Sequence, residues 1–195
     1  MLKLGITGGI GSGKSVVSGI LSLLDVPVYI ADIESKKLTA TSPAIRQKLI
    51  AAFGNELYTG NELNKGLFAS YIFNDRQKMQ TASDIIHPEV AKHYAHWIEA
   101  YQSSALTAHE SAILFETGWD KTMDKVVTVY APIDLRIRRV MEREHTSRQA
   151  TLERIGNQLP DEEKMRLSDY VIHNDGNKSL IEQTINLIEC LNVKI

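Results

Sequence analysis

Apolar residues fall in short runs separated by stretches whose apolar positions recur at helical spacing, the pattern of an α/β chain. The run Leu2 to Thr7 breaks at Gly8 and Gly9, and beyond Lys14 come Val16, Val17, Ile20, Leu21 and Leu24 at helical intervals. A strand, a tight loop and a helix are expected there, followed by a second strand at Val26 to Ala31 that ends on Asp32. Two further runs, Ala112 to Phe115 and Val126 to Ala131, lack alternation and read as buried parallel strands. A fifth, Tyr170 to Ile172, leads into the turn residues Asn174-Asp175-Gly176, and Leu180, Ile181, Ile185, Ile188 and Leu191 mark a closing amphipathic helix. Five strands separated by helical segments predict a mainly parallel sheet covered on both faces.

Two segments depart from simple β-α alternation. About eighty residues separate the second and third expected strands, with helices at Pro43 to Phe53, Lys65 to Phe73 and Pro88 to Tyr101. His87-Pro88 reads as a sharp helix start, since proline suits the first turn. After Ile133, Asp134 caps a helix carrying Arg136, Arg138, Arg139 and Arg143, and Thr146 with Gln149 has the spacing of a capping box for the next helix. The expectation is one domain: a core of 1–34, 105–135 and 165–195, an insertion over about 35–104 and an appended segment over about 136–164.

Composition narrows the function. At 195 residues the chain has room for one core and a modest insertion, and 43% hydrophobic with 24% charged residues is the balance of a soluble globular protein. The net charge of -2 argues against bulk electrostatic attachment to nucleic acid, so an anion site must be local. Seven of the nine arginines lie between Arg136 and Arg166, which gives that site a place. Cys190 is the only cysteine, which rules out an intramolecular disulfide and a cysteine-built zinc site and suits a reducing compartment. No apolar run reaches the roughly 18 residues of a membrane span, and Met1 to Lys3 passes at once into the first strand, so a cytoplasmic protein is expected.

Gly8-Gly9-Ile10-Gly11-Ser12-Gly13-Lys14-Ser15 satisfies the phosphate-loop pattern G-x-x-x-x-G-K-[ST], with a strand before it and a helix after. Small residues let successive backbone N–H groups turn around a polyphosphate, and the helix N-terminus adds partial positive charge. Lys14 supplies a mobile cation to the outer phosphates, and the Ser15 hydroxyl is a ligand for Mg²⁺. The exclusions then favour a small-molecule kinase. A guanine reader Asn-Lys-x-Asp is missing, because Asn177-Lys178 is followed by Ser179-Leu180, and no Asp-x-x-Gly switch occurs.

Such a kinase needs a carboxylate to orient an acceptor hydroxyl and take its proton. Asp32 ends the second strand beside the first βα loop, at the strand ends where open α/β sheets bind ligands. It also suits the N-cap of the helix beginning near Ile33. Arg139 and Arg143, four apart on one helix face, can form a lid over phosphate together with Arg148 and Arg154, or else a solvated basic face paired with Glu142, Glu144 and Glu153. Glu116 closes the third expected strand and can assist Mg²⁺ through water or cap a helix there. His93 and His96 read as surface histidines, and Trp97 and Trp119 as packing residues.

The assembled residues resemble the dephospho-CoA kinase family from about Leu4 to Gly176. The resemblance is carried by Gly5-Ile6-Thr7-Gly8-Gly9-Ile10-Gly11-Ser12-Gly13-Lys14-Ser15, Ala31-Asp32, Ile86-His87-Pro88, Leu114-Phe115-Glu116, Arg154 with Gln158, and Asp169-Tyr170-Val171-Ile172 before Asn174 and Gly176. It implies a three-layer P-loop kinase fold with a five-stranded parallel sheet, a helical acceptor-binding insertion and an arginine-rich lid. The implied reaction transfers the γ-phosphoryl group of ATP to the ribose 3′-hydroxyl of dephospho-CoA, the last step of coenzyme A synthesis, with Mg²⁺. By the same resemblance Asp32 is the catalytic aspartate, assisted by Lys14, Arg139 and Arg143. ATP falls to Gly9, Gly11, Ser12, Gly13, Lys14, Ser15 and Val16, with Arg139 stacking on adenine and Asn174 and Gly176 edging it; the acceptor side falls to Asp32, Lys65, His87 and Glu116. The partner is a small molecule, with neither nucleic acid nor membrane, and the protein a monomer or small homo-oligomer.

The chain departs from the family pattern in places. Ile30-Ala31-Asp32 replaces an Asp-Ala-Asp, Val16 replaces a threonine whose hydroxyl contact is lost, and Asn64-Lys65 replaces an Asp-Arg pair. These departures leave two other readings open: a kinase for another small metabolite or nucleoside monophosphate, and an ATP-sensing module without turnover.

Overall fold

In the computed structural model, which describes residues 1–60, 62–73 and 75–193, the chain runs β1 (Leu2–Thr7), α1 (Lys14–Leu23), β2 (Val28–Ile30), α2 (Ala31–Thr41), α3 (Pro43–Phe53), β3 (Tyr58–Thr59), β4 (Glu62–Leu63), α4 (Lys65–Phe73) and α5 (Arg76–Glu99). It continues with β5 (Leu106–Glu110), β6 (Lys125–Tyr130), α6 (Ile133–Glu144), α7 (Arg148–Gly156), α8 (Asp161–Leu167), β7 (Tyr170–His173) and α9 (Leu180–Cys190). It divides into two compact units, one of Met1–Ile30 with the chain from Tyr101 onward, the other Ala31–Ala100.

The first unit holds a five-stranded sheet in the order β2-β5-β1-β6-β7, every pair parallel. β1 is central because its residues bury on both sides. Leu4 and Ile6 are fully buried and join Val17 and Leu21 of α1 with Leu187 and Ile188 of α9 and its C-cap Leu191; each such side chain contributes on the order of 2 kcal/mol by leaving water. On the other face Gly5 lies under Leu114 and Met123, and α8 reaches β6 through Thr128 Oγ1, which donates to the Lys164 carbonyl at 3.2 Å. The sheet is therefore a middle layer, as expected of this fold class.

The third strand corrects the sequence expectation. It is β5, Leu106–Glu110, and Ala112 to Phe115 form turns after it. Periodicity misled because Leu-Thr-Ala-His-Glu is half polar and yet wholly buried. His109 is stacked between Tyr29, with centroids 5.4 Å apart, and Trp119, at 4.7 Å. The second strand is also shorter than expected, since Ala31 already begins α2.

In α9 the buried stripe is Thr184, Leu187 and Ile188, continued by the C-cap Leu191, with Ile181 and Ile185 exposed. In α1 it is Val17, Ser18 and Leu21, with Val16 half exposed.

Among the described residues the second unit is helical apart from the antiparallel pair β3–β4. Here the expected start at Pro88 is overturned: Pro88 lies inside the 24-residue α5, which is capped at Asp75. An internal proline removes one helical hydrogen bond. The helix nevertheless continues because Ala82, Ile86, Val90 and Tyr94, one turn apart on either side of it, form an unbroken buried stripe.

Candidate active site

The phosphate loop leaves β1 at the C-terminal edge of the sheet and enters α1 through Gly13, a left-handed N-cap at φ 102° with no side chain to cap the helix. The first-turn amides of a helix lack internal acceptors, and a glycine cap leaves them to an anion. Gly13 is also forced by space, because a Cβ there would meet Asn174 Nδ2 at 2.1 Å. Gly8 is forced by the Val129 carbonyl, 2.2 Å from its virtual Cβ.

Lys14, almost fully buried, bends back to donate to the Gly8 carbonyl at 2.9 Å and to that of Gly9 at 3.4 Å. Its ammonium thus lies along the loop. Ser15 at the helix start is exposed. The Val16 N–H donates to the Gly13 carbonyl at 3.0 Å, which tightens the first turn of α1.

The side chains that close around the loop come from the far half of the chain. Asn174 follows β7, where its N–H extends the sheet by donating to Tyr130 O at 2.8 Å, and its Nδ2 donates to Ser12 O at 2.8 Å. Arg139 of α6 donates to Gly11 O at 3.4 Å and to Asn174 O and Oδ1 at 3.2 and 3.3 Å. The structure thus brings Gly11, Ser12, Gly13, Arg139 and Asn174 together. Gly176, at φ 93°, lies in the turn just after, where Asp175 accepts from the Asn177 N–H at 2.9 Å.

Other expected residues are placed differently. Arg143 is exposed and its guanidinium pairs with Glu144, which also holds Arg154. Glu116 lies in the turns after β5, not at a strand end. Its carboxylate accepts from Leu159 N at 2.7 Å and pairs with Lys164 Nζ at 2.9 Å. Lys164 is fully buried, and that burial holds its pKa below the ordinary lysine value against the pull of Glu116. Glu116 thereby anchors α8.

Two residues that sequence reasoning passed over stand out. Glu110, the last residue of β5, is buried beside the end of β1, and among the described residues its Oε2 has no hydrogen-bond partner. Its nearest sequence clue is the β-branched Thr107, three residues before it in a run that lacks the apolar character of a buried strand. Arg136 is 3% exposed and donates from Nε to Ile10 O at 2.9 Å. An orphaned buried carboxylate oxygen and an exposed serine hydroxyl at the same sheet edge are donors of the kind a hard cation such as Mg²⁺ takes.

In the second unit Asp32 is the second residue of α2, in the first turn and not at the N-cap, where a carboxylate is favoured by the helix dipole. The chain passes from β2 into α2 with no intervening residue. Lys65 is exposed at the start of α4, and Asn64 caps that helix by accepting from Leu67 N at 3.1 Å. His87 is half-buried in α5; burial pushes its pKa below the ordinary value, opposed by Asp84.

A sequence model described as dephospho-CoA kinase matches residues 2–179. A protein named dephospho-CoA kinase from Bacteroides fragilis (strain YCH46) is 45% identical over 194 residues, covering 100% of this chain and 95% of that relative. Among solved structures, TT1252 from Thermus thermophilus superposes with a TM-score of 0.86 at 29% identity, covering 97% of each chain. The dephospho-CoA kinase from Campylobacter jejuni superposes at 0.71 with 21% identity, over 97% of this chain and 96% of that one, a likeness of fold.

Proposed function

The chain belongs to the dephospho-CoA kinase family and phosphorylates dephospho-CoA with ATP; we propose that it does so with Asp32 as the general base and with the phosphate loop, Arg139 and Asn174 holding the nucleotide. The observation that carries this reading is the convergence of Gly11, Ser12, Gly13, Arg139 and Asn174 on one loop at the C-terminal edge of the sheet.

The first-turn amides of α1 and the Lys14 ammonium neutralise the phosphates. Lys14 exchanges its contacts with the Gly8 and Gly9 carbonyls for phosphate oxygens as ATP enters. Arg139, already on Gly11 O and Asn174, presents a planar cation to the nucleotide. Asp32 accepts the proton of the ribose 3′-hydroxyl as its oxygen attacks the γ-phosphorus. The bond from that phosphorus to the β,γ-bridging oxygen breaks and ADP leaves. Mg²⁺ would be held by the Ser15 hydroxyl, with Glu110 acting on it through water, and would offset the negative charge of the phosphates.

Lys65 and His87 are proposed on the acceptor side, within the helical unit that takes the role of acceptor-binding insertion. The segment 136–164 takes the role of lid. The exposed thiol of Cys190 suits a reducing compartment, and we place the enzyme in the cytoplasm. The test is coupled ADP release with dephospho-CoA beside AMP, CMP and shikimate as acceptors. Turnover is expected with dephospho-CoA, and turnover confined to a nucleoside monophosphate would refute the acceptor.

A further inference from the structure

Both peptide groups of Ile10, in the middle of the phosphate loop, are held by side chains more than a hundred residues away. Its N–H donates to Gln158 Oε1 at 2.9 Å, and its carbonyl accepts from Arg136 Nε at 2.9 Å. Arg136 belongs to α6, and Gln158 to the turn between α7 and α8, where its own N–H donates to Ile155 O at 3.0 Å. The Arg136 guanidinium also pairs through Nη1 with Asp161, at the start of α8. It lies hard against the loop backbone, since a Cβ on Gly9 would meet its Nη2 at 2.1 Å.

A buried guanidinium is costly unless paired, and here its partners are the loop and the first residue of α8. Four glycines in Gly8–Gly13 give the loop wide backbone freedom. A loop that must present several amides at once binds more tightly when it is already in shape.

We propose that Arg136 and Gln158 are positioning residues for ATP. Together they fix the peptide planes on either side of Ile10, which sets the arc of the following amides and ties that arc to the 136–164 segment. The proposal rests on the nucleotide-binding role of the loop. It extends that role by placing control of ATP affinity in two side chains with no phosphate contact of their own.

Gln158→Met keeps the side-chain length and removes the acceptor; Arg136→Lys keeps the charge and removes the planar donor. Each is expected to weaken ATP binding, measured by calorimetry, and to raise KM for ATP by roughly threefold to tenfold. KM for dephospho-CoA should stay within about twofold, and the Ile10 amide should exchange faster with solvent. The double variant should lose less than the product of the single losses, because both side chains act on the backbone of one residue. A role confined to structure would lower the melting temperature and leave ATP affinity unchanged in folded protein, which overturns the proposal, as do strictly multiplicative losses. Failure of the unsubstituted protein to bind ATP would strike the nucleotide reading itself, so the two failures are distinct.

Discussion

At the residue scale, the chemistry asks most of a single carboxylate. Asp32 is the second residue of a helix that begins where β2 ends, and Asp32→Asn is expected to lower kcat by roughly two to four orders of magnitude while calorimetric ATP affinity changes little. A near-normal rate would remove Asp32 from the base role. Glu110→Gln tests the metal assignment separately. The Mg²⁺ concentration for half-maximal activity should rise roughly tenfold or more, and Mn²⁺ binding followed by electron paramagnetic resonance in the presence of ADP should weaken in parallel. Lys14 and Ser15 were legible in the sequence because a phosphate loop needs them at fixed spacing along one short segment. Arg136 was not legible as distinct from Arg138. Both sit in one basic run, and only the phase of α6 against the loop buries the first and exposes the second.

At the element scale, the same contrast decides which boundaries could be read. Pro43–Phe53 and Lys65–Phe73 run as expected, because a cap or a turn residue precedes each. β5 was displaced because its polar residues are buried by neighbours that only the sheet brings together: His109 lies opposite Gly5 and Tyr29 in the two adjacent strands. Glu110 was hidden by the same displacement. The start of α7 is a smaller miss with a direct test. The sequence suggests Thr146 with Gln149 as a capping box, whereas Ser147 is the N-cap, its Oγ accepting from Ala150 N at 3.1 Å. Ser147→Ala should cost about 1 kcal/mol of unfolding free energy, and Thr146→Ala no more than about 0.5 kcal/mol. Equal losses in urea denaturation would return the cap to Thr146.

At the scale of the whole molecule, a net charge near zero leaves stability against acid to individual buried groups. His109 is the strongest of these: burial between Tyr29 and Trp119 in the middle of the sheet lowers its pKa to about 4 from an ordinary 6.5. The unfolded chain therefore binds a proton at a pH where the folded chain does not. The contribution of His109 to stability is complete above pH 6.5, falls as the pH drops toward 4, and levels off below it. The total lost over that window is on the order of 3 kcal/mol. His109→Phe keeps an aromatic ring in the stack and removes the titration. The difference in unfolding free energy between the two proteins should be constant from pH 8 to 7, then shift in favour of the phenylalanine variant as the pH falls through 6 and 5. A difference that stays flat to pH 4 would mean that the imidazole is protonated inside the fold, and the stack would then have to shelter a charge.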